Sequence, residues 1–401
     1  MPESTESIKK QLNVKRIIIP VLLGLSVAVY LLFSSINEIK YIPVEAGSGD
    51  YSLKTGVVEG KKNVKDKNFD YVGEGQGNYI KESAKQNLES IEWSWNMGFW
   101  LFVALLAMVA RDLGYMIRLR ILTDKVFNWT QSFRVVMLWE FASSLSPSVV
   151  GGSSIAMFII NREGISMGKS TAIVLITAIM DEFFYITMVP LVLIAIGPEL
   201  LFPMQFEKEI FGMMLGTREL FWVGYVFIVL LVVVLSIAIF FKPRLFKYIL
   251  LKMFSWKLLR KWRHKSLDTG NEIMEASKEY KNKPFSFWAK ALGSTYFSWM
   301  ARFLTVNFLI LAFVSNSDQL LIFGRQIVMW VILLISPTPG GAGVAEFVFN
   351  GFLGDLIPFG LAGILALLWR LFSYYPYLFI GALILPGWIQ KTKKNKTYIF
   401  N

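Results

Sequence analysis

Apolar runs of about 20 residues, the length an α-helix needs to cross a hydrocarbon core, recur at 16–36, 94–114, 168–197, 219–241, 287–314 and 358–387. Inside a bilayer every backbone N–H and C=O must find a partner within the chain, so each run reads as a spanning helix. Only 17% of the 401 residues are charged, against about a quarter in a soluble domain. The sequence therefore predicts an all-α polytopic membrane protein with six full spans. There are no cysteines, which excludes disulfides, iron–sulfur clusters and thiolate zinc sites. His264 is the single histidine and leaves almost nothing for imidazole-based metal or triad chemistry. No metal or other cofactor is expected.

Charge sets the orientation. The net charge of +12 could point to nucleic acid, but the excess sits in short segments beside the apolar runs. That is the positive-inside pattern, and no nucleic-acid partner is expected. The first run follows Lys9, Lys10, Lys15 and Arg16 and has a weak cleavage pattern, so 1–36 reads as a retained anchor helix rather than a signal peptide. The polar insert 37–93 has 8 Lys and no Arg against 10 Asp or Glu and is placed outside. Arg111, Arg118, Arg120, Lys125 and Arg134 after the second run read as a cytoplasmic cluster. The segment 242–286 reads as a basic cytoplasmic loop, with 12 Lys or Arg against 4 Asp or Glu in 242–285. The tail 391–401 carries Lys391, Lys393, Lys394 and Lys396, which places both termini in the cytoplasm of the cell (inner) membrane.

Two apolar stretches do not fit as single crossings. In 132–165 the run is broken by Ser146-Pro147-Ser148 and Gly151-Gly152-Ser153-Ser154. In 320–353 it is broken by Ser336-Pro337-Thr338-Pro339-Gly340-Gly341-Ala342-Gly343. Proline and paired glycines do not continue a helix comfortably. The charge count makes the first stretch enter and leave from the cytoplasm and the second from outside. Both therefore read as re-entrant hairpins of two half-helices. They resemble each other, lie about 190 residues apart and have opposite orientation. Units 94–241 and 287–390 thus form an inverted repeat, the arrangement of secondary transporters. A half-helix is expected to begin just after each Gly-Gly, with Ser153 and Ser154 able to cap the first. Its free N–H groups and partial positive charge would receive a phosphate. Close helix packing by small residues is the plain alternative.

Charged residues within spans are costly and usually pair or line a polar path. Asp181 and Glu182 lie in the middle of one span, Arg302 in another and Arg370 in the last. Each of Asp181 and Arg370 follows its Gly-Gly by about 30 residues, so they are expected to approach each other or one substrate. A structural ion pair is the competing account. Glu140 and Glu346 lie near the breaks, and Glu346 could serve its own helix N-terminus. Tyr374, Tyr375 and Tyr377 lie too deep for an interfacial belt.

Together, Ser146-Pro147-Ser148, Gly151-Gly152, Asp181, the string Pro337-Thr338-Pro339-Gly340-Gly341-Ala342-Gly343-Val344-Ala345-Glu346, and Arg370 before Tyr374-Tyr375 resemble the lysylphosphatidylglycerol synthase/flippase transmembrane family. The resemblance covers about 90–390, and the insert 37–93 is long for that family. It implies a membrane domain that moves an aminoacylated phospholipid between leaflets while a separate soluble domain performs aminoacyl transfer. No counterpart of that soluble domain is expected in this sequence. The implied partner is a membrane lipid with an anionic phosphate head group.

Three functions follow for testing. The first is a lipid or lipid-linked-intermediate translocator, not an enzyme, with no phosphate loop for nucleotide. The second is a transporter of a small anionic solute. The third is a membrane-embedded enzyme or accessory with Asp181 and Glu182 as acid and base.

Overall fold

The computed structural model describes residues 36–54, 68–146, 148–204, 207–210, 213–253, 263–334, 341 and 343–397, with 26, 29, 30, 33, 34 and 255 besides. The anchor run 16–36 lies largely outside these, as do Pro147, Pro337, Pro339 and Gly340.

The insert corrects the all-α expectation. Strands β1 (Ile39–Pro43), β2 (Tyr51–Leu53), β3 (Phe69–Tyr71) and β4 (Tyr79–Ser83) form an antiparallel sheet in the order β1-β4-β2-β3. Each strand is short, but together they bring aromatic rings onto one face. Tyr41 stacks on Phe69 at 3.8 Å, and Tyr51 and Tyr79 meet these rings edge-on. Gly49 and Gly77 let the strands approach, since a Cβ on either would come within 2.8 Å of the backbone of Tyr79 or Tyr51. Helix α1 (Ala84–Glu89) follows, and Asn87 donates to the Phe359 carbonyl, tying the insert to the second half of the chain.

The helical body then begins with α2 (Trp95–Leu122). Helices α3 (Trp129–Leu145) and α4 (Ser148–Arg162) form the first hairpin, and α5 (Met167–Ile196) follows. A short α6 (Pro198–Leu201) and a hairpin of β5 (Glu207–Ile210) and β6 (Met213–Gly216) lead to α7 (Thr217–Ser236), which ends in a π-turn. The basic segment is not a bare loop: it holds α8 (Pro243–Met253) and α9 (Arg263–Lys281). Proline at the first position suits a helix start, because its missing N–H would have no partner there anyway. The second half comprises α10 (Phe285–Leu311), α11 (Gln319–Leu334), α12 (Val344–Leu353), α13 (Leu361–Ser373) and α14 (Tyr375–Thr397).

Four stretches among the described residues are long and apolar enough to cross a membrane: Trp95–Leu122, Met167–Ile196, Thr217–Phe241 and Leu361–Lys391. The last of these is interrupted at Tyr374, between α13 and α14. Pro376 in the first turn of α14 has no N–H to give back to α13, so the break falls there.

Packing is reciprocal between the halves. Helices α2 and α10 lie against each other at the centre. Gly114 permits this, since a Cβ there would be 3.1 Å from the Ser294 carbonyl oxygen and closer still to the Ser298 hydroxyl. The span after the first hairpin, α5, packs on α11 of the second hairpin. The span after the second hairpin, α14, packs on α3 of the first. There Gly381 sits on the Phe141 ring. The entry helices of the two hairpins also start alike. Asn128 accepts from the Gln131 N–H at 2.8 Å, and Asp318, 190 residues later, accepts from the Leu321 N–H at 3.0 Å.

Candidate functional site

The second span runs two turns further than its apolar run suggests, and this moves the site. Arg111 and Arg118 are not part of a cytoplasmic cluster; they are buried on α2, with 0% and 6% of their surface exposed. Seven residues apart, with Tyr115 between them, they share one helix face. The Arg111 guanidinium pairs with Glu140 of α3 at 2.6 Å and with Asp112 at 2.9 Å. Tyr115 and Tyr377 cover it at 4.7 and 4.9 Å. Tyr377 also donates to Asp112 at 3.0 Å, which gives that deep tyrosine its role.

Asp181 does not pair with Arg370. Its carboxylate takes both guanidinium nitrogens of Arg118, at 2.5 and 3.3 Å, and the indole N–H of Trp299 at 2.8 Å. Arg118 also donates to Thr295 at 3.1 Å, so this one group binds α2, α5 and α10 together. Arg370 instead lies 3.1 Å from Glu346, with both side chains almost fully buried. The other oxygen of Glu346 accepts from the Gly343 N–H at 2.8 Å. Glu346 therefore serves its own helix N-terminus and the neighbouring arginine at once. The Tyr374 ring lies 3.9 Å from the Arg370 guanidinium, and its hydroxyl donates to the Ser144 carbonyl of the first hairpin at 3.1 Å.

Asp181 and Arg370 nevertheless face one cavity of about 310 Å³. Its walls come from α2, α3, α4, α5, α10, α11 and α13. Ser146, Ser153, Asp181, Glu182, Gly341, Arg370 and Tyr374 line it, joined by Arg118, Glu140, Arg302 and the indoles of Trp139, Trp299, Trp330 and Trp369. The indoles escaped sequence reading because tryptophan in such a chain ordinarily marks an interface. Arg302 lies between Trp299 and Trp330, at 5.1 and 4.4 Å from their rings. A cation over a desolvated ring gains about 2 kcal/mol or more, which helps hold it in apolar surroundings. Among the described residues no carboxylate pairs with Arg302, and its Nε has no hydrogen-bond partner.

The two breaks differ from expectation and from each other. Helix α4 begins at Ser148, so Gly151 and Gly152 lie inside its first turns and Ser153 and Ser154 are not caps. Gly152 is needed because a Cβ would lie 2.8 Å from the Ser143 Cα across the hairpin. Of the two serines, Ser153 lines the cavity, whereas Ser154 is exposed and does not. In the second break, α12 does begin just past the glycines. Gly341 and Gly343 have φ of 70° and 82°, the left-handed region open to glycine at no steric cost.

A largely helical body with four stretches long and apolar enough to cross a membrane, and with charged and indole side chains gathered on one cavity, is a multi-pass membrane protein. The profile described as "Lysylphosphatidylglycerol synthase TM region" matches residues 82–381, and the chain belongs to that family. The family is linked to phospholipid modification and flipping. The chain is also 24% identical over 322 residues to a UPF0104 membrane protein of Archaeoglobus fulgidus, covering 75% of this chain and 89% of the relative. No solved structure matches it.

Proposed function

We propose that this protein is a translocator that carries an anionic phospholipid or lipid-linked intermediate across the cell membrane without using nucleotide itself, and that it is not an enzyme. The topology proposed with it has six full spans, two re-entrant hairpins in an inverted repeat, and both termini in the cytoplasm. The observation that carries the reading is the cavity itself: both halves wall it, and it holds Arg302, which among the described residues has no carboxylate within ion-pairing distance. An arginine in an indole-lined pocket suits a phosphate, which accepts its charge-assisted hydrogen bonds. Reciprocal packing of α5 on α11 and α14 on α3 supports the reading, because alternating access between repeats calls for such an exchange.

Two experiments test this. Purified protein in vesicles containing fluorescent phosphatidylglycerol should speed the exposure of inner-leaflet lipid to an external quencher several-fold over empty vesicles. No acceleration would refute lipid translocation, and uptake of a soluble phosphate alone would favour the solute reading. For topology, a thiol reagent added from outside should label Ser52→Cys and spare Ser266→Cys in this cysteine-free chain. Labelling of both would remove the inverted repeat.

A further inference from the structure

Most acids around the cavity have a cation against them. Glu140 meets Arg111, Asp181 meets Arg118, and behind the wall Glu346 meets Arg370. Glu182 is different. It lines the cavity, only 6% of its surface is exposed, and its Oε2 has no hydrogen-bond partner among the described residues. No arginine or lysine lies within ion-pairing distance of it among those residues. The adjacent Asp181 already spends both oxygens on Arg118 and Trp299 and adds like charge beside it.

An isolated carboxylate is too costly to keep ionised away from water, so such a group takes up a proton or acquires a counter-charge. Other charged and titratable groups also face the cavity. Tyr185 lies on the same helix, and Tyr115 and Arg118 come from α2. Glu140 comes from α3, Arg302 from α10 and Arg370 from α13. Of these cations, only Arg302 has no carboxylate within ion-pairing distance among the described residues, and it belongs to the head group in the proposed function.

We propose that Glu182 is the proton-carrying residue of this cavity, taking up one proton as an anionic phosphate head group enters and releasing it as the head group leaves. The inference rests on the translocator reading and adds its coupling ion. The chemistry balances: carboxylate and proton form the neutral acid as the lipid anion is bound, and the acid returns its proton to water on exit. The two events favour each other because a charged Glu182 would repel the phosphate. By linkage, head-group binding must then favour the proton as strongly as the proton favours the head group. The lipid anion and a proton cross together, so a pH gradient drives the lipid.

The test uses the full chain in detergent with glycerophosphoglycerol, a soluble phosphodiester whose own charge does not change over the range used. Fluorescence of the cavity tryptophans reports binding. Wild-type affinity should weaken as pH rises, approaching about tenfold per pH unit, the limit for one coupled proton. Glu182→Gln imitates the protonated acid and should bind with an affinity independent of pH. Infrared difference spectra between the two proteins should show a carboxylic-acid carbonyl band at low pH that the variant lacks. Binding that is independent of pH in the wild type, or equally pH-dependent in the variant, overturns the proposal and leaves the translocator reading intact. Binding by neither protein overturns the head-group reading and the coupling with it. Absence of the band at every pH overturns the proton assignment alone.

Discussion

The two hairpins carry similar Ser-Pro and Gly-Gly strings at their breaks and resolve them in opposite ways. In the first, the glycines lie within a continuous helix and serve a neighbour: Gly152 makes room for Ser143. In the second, Gly341 and Gly343 hold left-handed backbone, and Glu346 reaches back to satisfy the helix start. Gly152 is needed for close approach, and Gly341 and Gly343 for conformation. Similar sequence strings therefore place different demands on the chain, and substitutions can tell the two apart.

The largest effect is expected at two of the buried ion pairs, Arg370–Glu346 and Arg118–Asp181, one from each half. Arg370→Gln strands Glu346 away from water and should cost about 3–5 kcal/mol. Glu346→Gln with Arg370→Gln should recover most of the loss, as measured by thermal unfolding in detergent. Arg118→Gln should cost less, because 22% of the Asp181 side chain is exposed to the cavity and Trp299 still donates to it. Equal losses in the two halves would remove this difference between the pairs.

The glycines come next. Gly152→Asn should cost about 1–3 kcal/mol through overpacking against Ser143. Gly341→Asn should cost less than about 1 kcal/mol, since asparagine visits the left-handed region, whereas Gly341→Val should lose about 1–2 kcal/mol. A tolerated Gly152→Asn beside a damaging Gly341→Asn would reverse the comparison.

Smaller again are the caps the two hairpins share. Asn128→Ala and Asp318→Ala should each cost about 1 kcal/mol. They lie in separate hairpins, so the double variant should show the sum within about 0.5 kcal/mol.

The smallest effect lies outside the spans, where the first half meets the basic segment. Lys283 bonds Asp124 at 2.6 Å, and Lys169 lies 3.6 Å from it. Burial raises the Asp124 carboxyl, but hydrogen bonds and the two lysine charges outweigh this and hold it below the usual carboxylate range. A lowered folded-state value gives stability that is present at neutral pH and lost as pH falls through the carboxylate range. Asp124→Asn should flatten the acid limb of a stability–pH curve slightly and leave the neutral region lower. An unchanged acid limb would assign the cluster no part in it.

The sequence made the spanning class, the two breaks and the family legible, because apolar length and the Pro-Gly strings are local signals. It concealed the sheet of the insert, whose strands are only three to five residues long, two of them carrying a lysine. At the site, Asp181, Glu182 and Arg370 stood out as charges inside apolar runs. Arg118 did not, because it follows the apolar part of its helix, where a basic residue normally marks an interface. Its partner could not be inferred either. The matching positions of Asp181 and Arg370 suggested a pair, but whether two such groups touch depends on the angle between helices.

The packing of α14 on α3 sets an order of events during synthesis. Tyr374 meets Ser144 across 230 residues of chain. At about 5–20 residues per second, a ribosome takes on the order of tens of seconds to cover that distance. Through that interval the first hairpin has left the ribosome with the Phe141 face of α3 uncovered and its final partner not yet made. Lipid, a chaperone or the insertion machinery must occupy that face in the meantime. The nascent first half is thus the stage at which assembly is most exposed to interruption.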